Sequence, residues 1–134
     1  MLKHITTTLA AAALVFVSGC MMPPGAPNPN GQHFLVYFDE FSANLTPEAL
    51  KVIADAAAAF KHRAARAVRI EARASATGSP EANKALAQTR TQVVADELAK
   101  DGVSRLAVRQ VPIGQTGSGD DSVAERRVDI IVEP

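Results

Sequence analysis

The chain has 134 residues, a length that corresponds to one domain with room for a short tail. Its 14 Lys and Arg balance 14 Asp and Glu, so it lacks the excess of positive charge that nucleic-acid binding requires. Its single Cys excludes an intrachain disulfide and a zinc site built from several Cys. We therefore expect one small domain that binds no nucleic acid.

Residues 1–20, MLKHITTTLAAAALVFVSGC, have the three parts of an export signal. Lys3 gives a positively charged start, and the apolar run from Ile5 to Val17 is shorter than the roughly 20 residues of a membrane-spanning helix. Small residues then precede the only cysteine, Cys20, in the order Val-Ser-Gly-Cys. This tetrapeptide resembles the lipobox of bacterial lipoproteins, which predicts that residues 1–19 are a signal peptide that is removed.

The lipobox resemblance implies that Cys20 becomes the first residue and carries lipid. Its thiol would receive a diacylglyceryl group and its amine an acyl chain such as palmitate, and several chains make a stable anchor where one does not. Met21, rather than Asp, follows the cysteine, which favours the outer membrane. Residues 20–32 are rich in Pro, Gly and Asn, so we interpret them as a tether of about 40 Å that holds the domain in the periplasm.

The first half of the domain reads as strand, helix, strand. His33–Asp39 is a run of β-branched and aromatic residues that predicts a strand. Thr46-Pro47-Glu48 is a helix start, with an N-cap Thr, a Pro in the first turn and an acid, and it predicts a helix over about 47–61. Ala67–Arg73 alternates apolar and charged residues, which predicts a half-buried strand.

The second half reads as helix, strand, loop, strand. Ser79-Pro80-Glu81 repeats the helix start, and the helical pattern continues to Lys100. Leu106–Ile113 predicts a third strand, whose proline suits an edge or a strand end. Gly114–Glu125 is polar and rich in glycine, as in a loop, and Arg127–Glu133 predicts the last strand.

The resulting order βαβαββ predicts an α+β fold for residues 33–134. Two amphipathic helices and four strands bury their apolar faces when both helices pack on one face of a four-stranded mixed sheet, which forms a two-layer sandwich.

The patterns of familiar catalytic sites are absent from the sequence. There is no HExxH, GxSxG or P-loop motif. Only His33 and His62 remain once the signal is removed. Asp39 and Glu40 are adjacent, and neighbours in an extended chain point to opposite faces, which favours two solvated carboxylates over a shared site. We expect a protein that is not an enzyme and that uses no catalytic residue, cofactor or metal.

Arg90 is the unusual residue of the second helix. At roughly 100° per residue it falls midway between Leu86 and Val94, inside the apolar arc, with Asn83 two turns earlier. One interpretation is that its stem lies on the edge of the core while its guanidinium reaches water or a loop carbonyl. The other is an anion site, since a guanidinium binds a carboxylate through two parallel hydrogen bonds.

Residues 34–133 together resemble the OmpA-like peptidoglycan-binding domain. Each short match is weak alone, but four occur in the family's order behind a lipobox. The matching segments are Val36–Asp39 with Ser42–Ala49, Val68–Glu71 with Thr77–Ser79, Asn83–Arg90, and Glu125–Ile130.

The resemblance implies a binding site for the diaminopimelate residue of the peptidoglycan stem peptide. By position, Arg90 corresponds to the arginine that binds the ligand's carboxylate. Thr77 and Asn83 correspond to the residues beside it, and Arg126 to the first arginine of the closing strand. Ser75 occupies the position of the aspartate that binds the ligand's ammonium group in the family.

The departures from the family pattern leave two functions open. Ser75 lacks the aspartate's charge, which is worth roughly 1.5–3 kcal/mol in a charge-assisted hydrogen bond. Phe41 replaces a polar residue, and Arg73 is expected to add positive charge that repels an ammonium group. The first function is an outer-membrane lipoprotein that tethers the membrane to peptidoglycan through Arg90. The alternative is a degenerate module that binds a protein partner of the envelope, or another carboxylate.

Overall fold

The computed structural model describes residues 30–75, 77–115 and 123–134. The order of its elements confirms the predicted βαβαββ arrangement. The strands and helices are β1 (Gln32–Tyr37), α1 (Pro47–His62), β2 (Ala67–Ala74), α2 (Pro80–Lys100), β3 (Val108–Gln115) and β4 (Arg127–Glu133). The predicted signal peptide, the lipidation site at Cys20 and the tether up to residue 29 lie outside the described residues.

Both helices begin where the sequence predicts, because each N-cap side chain binds a backbone N–H group that the first turn leaves unsatisfied. The Thr46 hydroxyl accepts from the Ala49 N–H at 3.2 Å. The Ser79 hydroxyl accepts from the Ala82 N–H at 3.1 Å.

The four strands form one mixed sheet in the order β1-β4-β2-β3. Strands β1 and β2 are both antiparallel to β4, which lies between them, and β3 is parallel to β2. Strands β1 and β2 therefore run in the same direction, and their carboxyl ends emerge on either side of the start of β4. The segments after β1 and β2 and before β4 meet at this edge.

Alternation along the strands separates the two faces of the sheet. Val68, Ile70 and Ala72 of β2 are fully buried beneath the helices, whereas Arg69 and its alternate neighbours lie on the opposite face. Both helices pack on the inner face, α1 against β1 and β4 and α2 against β2 and β3. The largest apolar side chains of this core with no exposed surface are Ile53, Ile70, Leu98 and Ile130.

Strand β3 is shifted along the sequence relative to the prediction. Its predicted start at Leu106 is wrong, because the Ser104 hydroxyl accepts from the Leu106 N–H at 3.3 Å and caps a short 3-10 helix, Arg105–Ala107. Leu106 is 99% exposed, so its apolar character gives no information on the core. The position of β3 at an edge of the sheet agrees with the expectation from Pro112.

The predicted loop 114–125 is only partly a loop. Gly114 and Gln115 continue β3, and Val123–Arg126 forms a short 3-10 helix that leads into β4. Residues 116–122 lie outside the described residues.

Candidate functional site

A small cleft lies at the edge of the sheet where β1 and β2 end and β4 begins. It brings together four of the residues predicted for the site: Ser75, Asn83, Arg90 and Arg126. The remaining lining residues are Glu40, Phe41 and Leu86. Sequence reasoning placed neither Glu40 nor Leu86 in the site, and it named Phe41 only as a departure from the family pattern.

Arg90 is the most deeply buried charged residue of the cleft, with 1% of its surface exposed. Its guanidinium donates three hydrogen bonds to backbone carbonyls. Nε donates to the Ser42 oxygen at 2.8 Å, Nη1 to the Arg73 oxygen at 3.0 Å and Nη2 to the Asp39 oxygen at 2.9 Å. The guanidinium carbon also lies 5.1 Å from the centre of the Phe38 ring, within range of a cation–π interaction.

These contacts show features of both interpretations of Arg90, a guanidinium that reaches loop carbonyls and a site for an anion. The guanidinium does reach loop carbonyls, but it does so inside the fold instead of at the surface. A guanidinium has five N–H groups. Three donate to the carbonyls, and within the described residues two remain for another acceptor. No carboxylate in the described residues pairs with Arg90, so its positive charge is solvated only by neutral dipoles.

The electrostatic environment of Arg90 shifts its pKa. Burial, and to a lesser extent the positive charge of Arg126, lowers the pKa of Arg90 from its ordinary value to about 10. Arg90 is therefore still charged at neutral pH, and an anion in the cleft would relieve both the burial of an unpaired charge and the repulsion between the two arginines.

Ser75 and Thr77 lie between β2 and α2, and hydrogen bonds connect them to each other and to Asn83 in the first turn of α2. The Thr77 N–H donates to the Ser75 hydroxyl at 3.3 Å, and the Asn83 side-chain amide donates to the Thr77 carbonyl at 3.1 Å. Ser75 and Asn83 are buried, whereas Thr77 is exposed and lies beside the cleft without lining it. These hydrogen bonds thus fix Ser75 and Asn83 at the cleft wall, where they offer neutral polar groups.

The expectation that Arg73 adds positive charge to the site is wrong. Alternation along β2 places its side chain on the outer face of the sheet, where Nη1 contacts Asp129 Oδ2 at 2.5 Å and Nη2 lies 3.9 Å from Glu71 Oε2. Only the Arg73 carbonyl faces the cleft, as an acceptor for Arg90.

The cleft is nearly closed. It contains about 10 Å³ of free space, which accommodates about one water molecule. A larger groove of about 510 Å³ lies elsewhere, between α1 and α2. Its lining residues are Ala43, Asn44, Leu45, Leu50, Val93, Asp96, Glu97 and Lys100.

The described residues contain no group of three or more His, Cys, Asp or Glu side chains that could hold a metal ion. Within the same residues, neither helix has the length and apolar composition needed to cross a membrane.

The fold and the cleft define a two-layer α+β module with a buried arginine at one edge of its sheet. The model of the OmpA family matches residues 37–128. The chain belongs to the OmpA family.

Several solved structures share this fold. The peptidoglycan-associated lipoprotein from Burkholderia pseudomallei is 25% identical, with a TM-score of 0.66 over 75% of this chain and 90% of that one. The OmpA-like domain of FopA1 from Francisella tularensis is 20% identical, with a TM-score of 0.66 over 76% and 72% of the two chains. The periplasmic domain of Helicobacter pylori MotB is 18% identical, with a TM-score of 0.64 over 80% and 76%. Among curated proteins, no sequence matches this chain.

Proposed function

We propose that this chain is a lipid-anchored protein of the bacterial envelope whose OmpA-like domain binds peptidoglycan non-covalently. The observation that carries the proposal is the Arg90 guanidinium, which is buried without a carboxylate partner in the described residues and lines a cleft together with Arg126. A carboxylate of the stem peptide, such as that of diaminopimelate, is complementary to this site. The protein acts by binding and is not an enzyme.

Family membership and the 25% identity to a peptidoglycan-associated lipoprotein support the same ligand class. The name of that relative states both an association with peptidoglycan and a lipid anchor. The lipobox ending at Cys20 supports the second property for this chain.

In the proposed arrangement, residues 1–19 are removed and the lipid on Cys20 holds the protein in the outer membrane. The tether 20–32 then lets the domain reach the peptidoglycan from the periplasmic side. Replacing Cys20 by Ala would abolish incorporation of labelled palmitate and release the protein from the membrane fraction. Palmitate incorporation that persists in the Cys20→Ala variant would contradict the anchor.

Ligand binding requires the cleft to open, because a carboxylate does not fit in about 10 Å³. The segment at Glu40 and Phe41 forms one wall and is exposed to solvent. Rotation of the exposed Phe41 side chain would open this wall while the Asp39 and Ser42 carbonyls keep their hydrogen bonds to Arg90.

Co-sedimentation with purified sacculi of the diaminopimelate type tests the proposal. The soluble fragment 31–134 should sediment with sacculi, and Arg126→Gln should weaken this binding about tenfold, since a hydrogen bond to a charged group contributes about 1.5–3 kcal/mol. Arg109→Gln is the matched control, because it removes the same charge at an exposed position of β3 that does not line the cleft. Equal binding of both variants would refute a role for the cleft.

The groove between α1 and α2 favours a second function, the binding of a protein partner. Its volume of about 510 Å³ far exceeds that of the cleft, and Leu45, Leu50 and Val93 give it apolar walls. A fragment that sediments with sacculi only after Ser75→Asp is introduced would favour this alternative, since the natural cleft would then have lost its ligand.

A further inference from the structure

Glu40 is the one acidic residue among the described residues that line the cleft. Its side chain is exposed, and within the described part of the chain it makes no hydrogen bond or ion pair. The acids of the outer sheet face behave differently: Asp129, for example, contacts both Arg73 and Arg127. Glu40 is therefore a charged group at the mouth of the cleft that is still open to a cationic partner.

The backbone holds Glu40 in place through Arg90. The Ser42 N–H donates to the Asp39 carbonyl at 3.1 Å, so residues 39–42 form a β-turn with Glu40 and Phe41 at its centre. The φ of Phe41 is 53°, the positive value that the third position of a type II turn requires. Arg90 donates to the carbonyls at both ends of this turn, those of Asp39 and Ser42. The guanidinium that would bind an anion therefore also positions the acid beside it.

We propose that Glu40 binds an ammonium group that lies next to the carboxylate bound by Arg90. This inference rests on the proposed function and specifies its ligand, which carries a free amine beside its acidic group. The acidic partner thus comes from the turn after β1, whereas the family pattern places it at the end of β2, where this chain has Ser75. Arg90 is in this scheme both a ligand-binding residue and a positioning residue for Glu40.

The arrangement explains how a cleft with a neutral Ser75 retains affinity for a zwitterionic group. The Ser75 hydroxyl already accepts from the Thr77 N–H, and it contributes no charge. Glu40 lines the same cleft as Arg90 and Arg126, so the cleft carries one acidic and two basic residues. A ligand with one charge of each sign would complement this pattern, whereas a ligand with only a carboxylate would be repelled by Glu40.

The test measures binding of two probes to the full chain by calorimetry. The first probe is an N-terminally blocked stem tripeptide that ends in diaminopimelate and keeps its second amine free. The other is the same peptide with that amine acetylated. Glu40→Gln should weaken binding of the free-amine peptide about tenfold, and it should leave binding of the acetylated peptide unchanged or make it tighter. The matched control is Asp55→Asn, which removes one negative charge from an exposed site on α1.

The outcomes separate this inference from the proposed function. Equal loss of binding for both peptides, or no loss for either, would overturn the role of Glu40 while leaving peptidoglycan binding intact. Failure of the unaltered chain to bind either peptide or sacculi would instead refute the proposed function, and with it this inference. Restoration of the lost affinity by Ser75→Asp in the Glu40→Gln background would support the exchange of one acid for the other. A thermal melt of Glu40→Gln that matches the unaltered chain would exclude misfolding as the cause.

Discussion

The side chains of Arg73 in β2 and Arg90 in α2 lie on opposite faces of the sheet, and their surroundings differ. Arg73 lies in a network of charges on the outer face, where Asp129 contacts it at 2.5 Å and also binds Arg127 at 2.9 Å. Arg90 lies under the inner face with carbonyl oxygens as its hydrogen-bond acceptors and no carboxylate partner in the described residues.

This difference separates a structural arginine from one that can also bind a ligand. The charge of Arg73 is neutralised within the protein, so its ion pairs leave little attraction for an external anion. Carbonyl dipoles orient Arg90 but do not neutralise it, and an unpaired buried charge is costly. An incoming carboxylate would supply the missing charge.

The largest expected effect is the difference in stability between the Arg90→Ala and Arg73→Ala variants. Arg90→Ala would remove three hydrogen bonds from a charged donor to partly buried carbonyls, at roughly 1.5 kcal/mol each, so we expect a loss of about 3–5 kcal/mol in the free energy of unfolding. Arg73→Ala should cost only about 1 kcal/mol, because its side chain is partly exposed and Asp129 retains Arg127. Urea unfolding followed by circular dichroism measures both values, and similar losses for the two variants would contradict the comparison.

An acid at the end of β2 should add a negative charge to a cleft that already contains two arginines. Ser75→Asp keeps an oxygen acceptor for the Thr77 N–H and adds a negative charge, so binding of the free-amine stem peptide should tighten severalfold, up to about tenfold. Ser79→Asp is the control: it adds the same charge at the N-cap of α2, where Asp caps as well as Ser. Equal tightening in both variants would show a general charge effect instead of a specific contact.

The pH dependence of binding provides a smaller but specific effect. Because the pKa of Arg90 is lowered to about 10, affinity for the acetylated peptide should be constant between about pH 7 and 9 and fall above about pH 10, as the guanidinium loses its proton. Arg126→Gln removes the repulsion that contributes to this lowered pKa, so the fall should move to higher pH. Affinity that declines with the same midpoint in both proteins would contradict the proximity of the two arginines.

The linked effect on stability has the opposite sign. The pKa of Arg90 is lower in the folded protein than in the unfolded chain, so the unfolded state binds more protons at pH values between the two pKa values. The contribution of Arg90 to the free energy of unfolding therefore rises with pH above about 10 and is constant below it.

The smallest expected effect concerns the turn above Arg90. Phe41 has a φ of 53°, a left-handed conformation that costs a bulky residue about 1 kcal/mol, and it is 66% exposed. Phe41→Gly should therefore leave stability unchanged or raise it by up to about 0.5 kcal/mol, since glycine relieves the strain but loses more chain entropy. A thermal melt that shows a loss above about 1 kcal/mol would mean that the ring makes stabilising contacts in this turn.

The sequence predicts most of the fold because its signals are local. Each helix start depends on a hydroxyl, a proline and an acid within a few residues, and the position of Arg90 midway between Leu86 and Val94 places it inside the apolar arc of α2. The start of β3 was mispredicted because Leu106 has the apolar character of a strand residue but is fully exposed in a 3-10 helix.

The candidate site was only partly predictable. The family resemblance located Arg90, Ser75, Asn83 and Arg126, which the fold brings to one cleft. The three carbonyl acceptors of Arg90 were not predictable, because every residue has a backbone carbonyl and only the tertiary structure selects which ones face a side chain. Glu40 was missed for a similar reason, since the turn that places it in the cleft depends on long-range hydrogen bonds to Arg90.

The proposed ligand binding depends most directly on the two N–H groups of Arg90 that the backbone carbonyls leave available. Nuclear magnetic resonance can report on this guanidinium through its Nε–H group, because the hydrogen bond from Nε to the Ser42 carbonyl slows exchange of that proton with water. Titration with the free-amine stem peptide should shift the Arg90 side-chain signals saturably and leave those of Arg73 unchanged. Unchanged Arg90 signals at peptide concentrations that saturate binding, with shifts in the groove between α1 and α2 instead, would contradict the account.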